Sequence, residues 1–477
     1  MGPLKGTHRP DNMLWFWLGA ALLVNLASIG VPFFWDNILN SRTAQFYLQT
    51  GFESLTVPSE LDAGHPPFFS LYLAAVWSFT GKSLWAAHLA MLPFLLGLHW
   101  LAWDLGKKLL PEKAAPWAGL VLFLDPALVS QSIQITPDIA LLFFFLLAIK
   151  SIWDSQKLLL LISMIGLSMM SMRGILSLAA IGFIDIMLNS GNKWSWLRLK
   201  NLWPYLTVAM LACTWLVFHY VQTGWLFRPP AATYGGHRNL VGWGGIFRNL
   251  LVMVWRLLDH GRIFPLACLA WAIWKRQNST LELFHSRKLG ILLVVPLLVW
   301  GLVFLPFSNP IGHRYFLPAY VFLGWAMLGL FSASKFGKWN RLGLALVILG
   351  WLSGHLWVYP DSVAKGWDAT LAHLPYHGHR IAALDYMERQ GIQRHDVCTD
   401  FPAAAAPSFI DPSSSDSVKF EPLPNSLNQF RFVLYSNVCN GFSDAMLEDL
   451  SDTTLWETRF QSGHWPVRVV LFEKIER

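Results

Sequence analysis

Trp35-Asp36-Asn37 closes one long apolar run, and Gly64-His65-Pro66-Pro67-Phe68 opens the next. A mostly polar stretch joins them, so an acid stands at the mouth of one apolar segment and an imidazole at the mouth of the following one. What those mouths face depends on whether the flanking runs cross a bilayer, and composition decides it. Of 477 residues, 54% are hydrophobic and only 14% are charged, with 26 Trp, 33 Phe and a positive mean hydropathy. A water-soluble domain could not hide that much apolar surface, so the class is a polytopic membrane protein. The net charge of +7 would suit nucleic-acid binding in a soluble chain; here it reads as Lys and Arg in short cytoplasmic loops that fix topology.

Met1 to Asn12 is short and basic (Lys5, Arg9), and the run Leu14 to Phe34 is too long for a signal-peptide core and lacks a convincing cleavage site. It reads as a retained anchor with a cytoplasmic N-terminus. Residues Asn37 to Thr50 carry Ile38, Ala44, Phe46 and Tyr47 at helical spacing, which predicts a helix lying on the outer surface. Pro66 to Phe79 is short for a span. Reading it as a second interfacial or re-entrant helix, with Leu84 to Leu105 as the true second span, puts Lys107, Lys108 and Lys113 in the cytoplasm.

The later loops then agree. Spans are expected at Ala115 to Ile133, Ile139 to Trp153, Leu158 to Ser171, Ile175 to Leu188, Leu202 to Val221, Ile263 to Trp274, Leu289 to Leu305, Tyr315 to Phe331 and Leu342 to Val358. Lys150, Lys157, Lys193, Arg198, Lys200, Lys275, Arg276, Arg287, Lys288, Lys335, Lys338 and Arg341 all fall inside. The outer segment Gly224 to Arg262 holds an amphipathic pattern at Ile246 to Leu258. The expected fold is thus an all-α polytopic membrane domain over residues 1–360, with about eleven transmembrane helices plus interfacial helices. After Pro360 the composition turns to soluble values, with β-type runs at Phe432 to Tyr435 and Val467 to Phe472, so 361–477 is expected to be a small extracytoplasmic α/β domain. Cys398 and Cys439 would share an oxidising compartment there, which predicts a disulfide between them. Cys213 and Cys268 sit in apolar runs and read as packing residues.

Topology brings Asp36, His65, Asp138, Arg173 and Arg314, with His313 beside the last, to one membrane face from separate parts of the chain. Charges there are costly unless they pair or bind something, so their convergence predicts a site. Each has a purely structural reading as well. Asp36 could end a helix, His65 could precede a Pro-Pro turn, and Asp138 could be a first-turn acid favoured by the helix dipole. Arg173 and Arg314 could snorkel to headgroups. Chemically, a carboxylate suits a general base acting on an acceptor hydroxyl or amine, while guanidinium and imidazolium groups suit a phosphate leaving group. No Walker loop, dinucleotide fingerprint or zinc spacing of cysteines is present, which argues against ATP-driven or redox chemistry.

With those residues in view, residues 12–360 resemble the GT-C membrane glycosyltransferases that use polyprenyl-phosphate sugars, in particular the protein O-mannosyltransferase and aminoarabinose transferase branch. The resemblance rests on an ordered set: Asp36 opening the first outer loop, Gly51, His65-Pro66-Pro67, Asp138, Arg173-Gly174 and Arg314-Tyr315-Phe316-Leu317-Pro318. It implies an inverting transfer from an undecaprenyl-phosphate type donor to an extracytoplasmic acceptor (protein, lipid A or other glycolipid, or polysaccharide). Asp36 would be the base or acceptor-orienting group and Asp138 would help to position substrate. Arg173, Arg314, His313 and His65 would hold the phosphate. Asn37 stands where many relatives carry Glu, and His65 where the aminoarabinose enzymes carry Lys; the second departure makes phosphate binding there depend on pH if the imidazole titrates. No cofactor is firmly implied, although outer-loop carboxylates could hold a divalent cation. The implied location is the inner membrane, with the C-terminal part periplasmic. Two other classes stay open: a transporter or flippase of a lipid-linked glycan, for which Asp125 in the third span fits best, and a non-catalytic partner in an envelope assembly.

Overall fold

A computed structural model describes residues 12–189, 199–230, 236–274, 288–333, 338–359, 366–439 and 441–475. Lys5, Arg9, Lys193, Arg198, Lys275, Arg276, Arg287 and Lys335, and the division at residue 360, lie outside the described residues. The chain is mostly helical up to Gly354, and a small sheet follows.

Helix α1 (Asn12–Ala27) leads through Trp35 and Asp36 into α2 (Asn37–Gln49) and then α3 (Phe68–Thr80). The two expected short helices are present near their expected bounds. At 13 residues each they are roughly 20 Å long, too short to cross a hydrocarbon core of about 30 Å. Ile38, Ala44 and Tyr47 of α2 and Phe69, Leu73 and Trp77 of α3 are buried together in the main apolar core. Helix α4 (Leu84–Leu109) starts at Ser83, whose hydroxyl accepts the Ala86 amide and satisfies one of the first turn's free donors.

The third expected span is not one helix. A 3-10 turn (Ala115–Leu120) and α5 (Val121–Leu124) end at Asp125, and α6 (Pro126–Ser132) begins afresh. The cause is local. Pro126 has no amide to donate to the preceding turn, and the Asp125 carboxylate accepts the Ala127 and Leu128 amides as a new N-cap. Helix α6 then meets α7 (Pro137–Trp153) at an angle of 112°.

Next come α8 (Lys157–Met170), α9 (Met172–Leu188), α10 (Leu199–Thr223), α11 (Trp243–Leu258), α12 (Ile263–Trp274), α13 (Lys288–Phe304), α14 (Leu317–Ala333) and α15 (Lys338–Gly354). Among the described residues, three helices are long and apolar enough to cross a membrane, and a fourth if the bent α6–α7 pair counts as one span. The count of about eleven is not reached by length and composition. The shortfall has a physical source: a 17-residue helix such as α13 is only about 25 Å long, and several apolar helices are no longer than that.

Beyond residue 366, α16 (Pro375–Arg389), α17 (Pro407–Ile410) and α18 (Asp444–Ser451) accompany a five-stranded sheet. Its strands are β1 (Val397–Thr399), β2 (Glu421–Pro422), β3 (Phe432–Ser436), β4 (Trp456–His464) and β5 (Val467–Lys474), in the order β2-β1-β3-β5-β4. β1 pairs parallel with β2 and β3, and the β3–β5 and β4–β5 pairs are antiparallel. This part has its own apolar cluster, to which Phe34 also belongs. The expected disulfide is absent: Cys398 and Cys439 are both buried free thiols. The Cys439 sulfur points to the Asp400 carbonyl oxygen at 3.6 Å, and burial pushes both thiols up to about 12.

Candidate active site

Five short pieces of chain meet at one place. Asp36 precedes α2 and follows Trp35, whose φ of 55° is a left-handed backbone that costs a non-glycine residue roughly 1–2 kcal/mol. That turn ends the α1 segment and presents the Asp36 carboxylate. Asp138 lies in the first turn of α7, where the helix dipole favours an acid. The Thr136 hydroxyl accepts the Asp138 amide and donates to its Oδ2, both at 3.2 Å. Arg173 starts α9, capped by Ser171, and Gly174 explains its position: a Cβ there would lie 1.7 Å from the Leu167 carbonyl oxygen. Only glycine lets α8 and α9 approach so closely. Arg314 sits in a 3-10 turn (His313–Phe316) that leads into α14.

The fifth piece is Asp368, in a 3-10 turn (Trp367–Ala369) after the membrane helices. Its carbonyl oxygen accepts Ser130 Oγ at 2.9 Å, Gln131 Nε2 at 2.7 Å and Gln134 Nε2 at 3.1 Å. Ser130 also donates to the Thr370 carbonyl at 3.0 Å, so α6 and Gln134, two residues past its end, grip this turn.

Arg314 is the hub. Its Nη2 donates to Asp36 Oδ2, its Nη1 lies 3.2 Å from Asp368 Oδ2, and its Nε lies 3.7 Å from Asp138 Oδ2. Arg173 donates to Asp138 Oδ1, and its guanidinium lies over the Tyr315 ring at 4.4 Å. Arg314, Asp138 and Asp368 are buried, whereas the Asp36 side chain is 58% exposed. Three carboxylates thus meet two guanidinium groups, and the most accessible of the carboxylates is Asp36. Burial pushes the Asp368 carboxyl above the usual range, with Asp36 and Asp138 adding to the rise and Arg314 opposing it.

His65 is solvent-accessible, with many protein atoms around it. That crowding, with Arg173 and Arg238 nearby, lowers its imidazole to about 3 despite the opposing pull of Asp36 and Asp138. The shift favours the neutral imidazole. Its approach is fixed by α10 and the segment that follows it. Arg238 donates to the Ala63 carbonyl at 2.6 Å, His219 Nε2 lies 2.9 Å from Asp62 Oδ2, and Gly64 has a φ of 72°.

Four of the six sequence-predicted residues are joined by ion pairs, and His65 lies within their electrostatic reach. His313 does not join them: its Nε2 is 2.8 Å from Asp259 Oδ2 in a separate buried group. Asp125, the acid that fitted a transporter best, is held by Arg262 through two contacts of 2.6 and 2.7 Å, a structural pair. Asp368 went unnoticed because the chain after Pro360 reads as soluble and a lone Trp-Asp carries no motif. Tyr315 lay within the quoted Arg-Tyr-x-x-Pro string without being given a role. Beside the charges, Leu141, Phe145, Leu167, Trp300 and Phe304 wall an apolar recess. A more open groove along the β4–β5 hairpin, at Gln461 and Trp465, shows no comparable convergence of acids and bases.

Buried acids and guanidinium groups thus lie beside an apolar recess, on a largely helical chain with a small C-terminal sheet, and the comparisons with known proteins agree with the resemblance read from the sequence. Residues 64–219 match the family model of dolichyl-phosphate-mannose-protein mannosyltransferases, a segment that contains His65, Asp138 and Arg173. The crystal structure of ArnT from Cupriavidus metallidurans bound to undecaprenyl phosphate is similar over 97% of this chain and 98% of that one, at 13% identity and a TM-score of 0.55. The apo structure of the same ArnT is similar over 80% of this chain and 73% of that one, at 16% identity and a TM-score of 0.52. A comparison with curated proteins found no match.

Proposed function

We propose that this chain is an integral inner-membrane glycosyltransferase that moves one sugar, with inversion, from a polyprenyl-phosphate donor of the undecaprenyl type to an acceptor on the extracytoplasmic side. The observation that carries this reading is Arg314 bridging Asp36, Asp138 and Asp368, with Arg173 on the far side of Asp138. Asp36 is the acid open to an incoming acceptor, and it takes or orients the acceptor proton. Arg173 and Arg314 draw the phosphate oxygens and stabilise the charge that grows on the leaving group, an effect that preorganised cations supply without rearrangement. Asp138 holds the two guanidinium groups at the required spacing. Neutral His65 contributes a hydrogen-bond donor to the phosphate in place of a full charge. The apolar recess receives the first isoprene units of the carrier.

In the same reading, residues 1–360 form the catalytic membrane domain and 361–477 an extracytoplasmic domain that lends Asp368 to the site. Protein hydroxyls, lipid A or other glycolipids, and polysaccharides are the acceptor classes to test. Purified protein carrying Asp36→Asn loses sugar transfer by about 10²–10⁴-fold, the span of general-base catalysis, and still binds the lipid carrier. Full activity in that variant, or loss of carrier binding together with transfer, removes Asp36 from the acceptor side.

A further inference from the structure

Next to Arg314 in the chain, His313 belongs to a second buried polar group. Asp259 and His260 form the turn between α11 and α12, and His313 immediately precedes Arg314. One potential ligand atom from each lies within 4.8 Å of the other two. Asp259 Oδ2 is 2.8 Å from His313 Nε2 and 3.7 Å from His260 Nε2. Both imidazoles are only 1% exposed. Neither ring nitrogen of His260 has a hydrogen-bond partner, and Nδ1 of His313 has none either. Buried polar atoms are nearly always satisfied, so three unpaired ring nitrogens around one carboxylate call for something the protein chain does not supply.

We propose that Asp259, His260 and His313 bind a divalent transition-metal ion, with zinc the best fit. Two imidazoles and one carboxylate form a nitrogen-rich set that suits zinc and disfavours calcium or magnesium, which take oxygen cages. Zinc–ligand bonds of about 2.0–2.1 Å in a tetrahedron set the ligand atoms about 3.3 Å apart. The observed 2.8 and 3.7 Å bracket that value, so small side-chain rotations are enough. Metal entry displaces the proton shared by His313 Nε2 and Asp259 Oδ2 and leaves the fourth position open to water.

The surroundings resemble a metal site's outer shell. Asp259 also accepts Tyr359 Oη, the His260 amide at 2.7 Å and Trp255 Nε1 at 2.9 Å, which fixes the carboxylate as outer-shell donors do for metal ligands. Arg256 Nη1 lies 3.8 Å from Asp259 Oδ2, and Arg262 Nη1 donates to the Asp259 carbonyl at 3.2 Å. These cations oppose a second positive charge, so occupancy depends on the covalent character of nitrogen ligation. The ion would pin the 259–261 turn to the segment that carries Arg314, and its part is structural.

The test uses the full chain purified in detergent, stripped with EDTA, dialysed and then titrated with zinc or cobalt. About one zinc per chain should remain by elemental analysis, and cobalt should give the visible absorption of tetrahedral coordination. His260→Ala and His313→Ala should each weaken zinc binding at least tenfold, while Asp36→Asn should leave it unchanged. Retention of no metal by the wild type, or full retention by His260→Ala, overturns the proposal. Loss of the ion in Asp36→Asn overturns it too, by moving the site to the outer-loop acids. If His313→Ala fails to fold, His260→Ala alone decides, because the His260 ring makes no hydrogen bond whose loss would disturb the fold.

Discussion

Replacing Arg314 with methionine removes the one cation shared by three acids, and the structure says which acid suffers. Asp36 is 58% exposed, so its lost pairing is worth no more than about 1 kcal/mol. Asp138 keeps Arg173. Asp368 is left buried with no basic side chain paired to it among the described residues, and breaking a buried pair from one side costs roughly 3–5 kcal/mol while the orphan stays charged. Protonation is its escape. Burial already raises the Asp368 carboxyl and Arg314 is the main group opposing the rise, so the variant's carboxyl titrates higher still. A carboxyl with a raised folded-state pKa contributes stability below its unfolded value of about 3.9, and that contribution is lost as pH rises through the folded value.

The deficit of Arg314→Met relative to wild type is therefore smallest at acid pH and grows toward the full roughly 3–5 kcal/mol as pH rises. Adding Asp368→Asn in that background removes the orphan charge and restores roughly 2–3 kcal/mol at pH 8. In wild type the same change deprives Arg314 of a partner and destabilises by about 1–2 kcal/mol. Thermal unfolding in detergent at several pH values, followed by tryptophan fluorescence, reads all four corners of the cycle. An equal deficit at pH 5 and pH 8 refutes the reasoning, as does an Asp368→Asn effect that adds to that of Arg314→Met instead of offsetting it.

His65→Gln should leave the pH dependence of kcat/KM between about pH 5.5 and 7.5 unchanged, because an imidazole held near 3 is already neutral there. For stability the sign is that of a lowered base: the contribution is present above about 6.5 and fades as pH falls toward 3. An inflection near 6.5 in wild type that vanishes in His65→Gln shows a titrating imidazole in its place. Gly174→Ala forces a Cβ to within 1.7 Å of a backbone oxygen that cannot swing aside, at a cost of at least about 3 kcal/mol. A monodisperse Gly174→Ala protein with a wild-type melting temperature shows that α8 and α9 do not pack this closely.

The charged residues at helix mouths were legible because a membrane protein has few reasons to place them there. Asp36, Asp138, Arg173 and Arg314 all stood out on that ground, and they do meet. Helices α2, α3 and α4 were legible from spacing and from Lys107 and Lys108. Asp368 was not, since its position depends on a grip by Ser130, Gln131 and Gln134 from far away in the chain. His313 misled for the opposite reason: next to Arg314 in sequence, it points away because successive residues of a helical turn face different directions. The neutral state of His65 depends on atoms packed around it, which a sequence does not list.

The break at Asp125-Pro126 explains more of the site than any single charge in it. A straight apolar span from 115 to 133 would carry Ser130, Gln131 and Ser132 into the hydrocarbon region, where an unsatisfied polar group costs several kcal/mol. With the helix stopped at Asp125 and restarted as α6, Ser130 and Gln131 donate to the 368 and 370 carbonyls, and Ser132 donates back to the Leu128 carbonyl. The Asp125 carboxylate has two tasks at the break: it caps α6, and it binds Arg262 from the turn that also carries Asp259 and His260. One buried pair thus ties the helix that grips Asp368 to the turn whose Asp259 holds His313, the neighbour of Arg314. Asp125 reaches the hub from both sides without touching it, which accounts for a buried acid in the third apolar run without any transported ion.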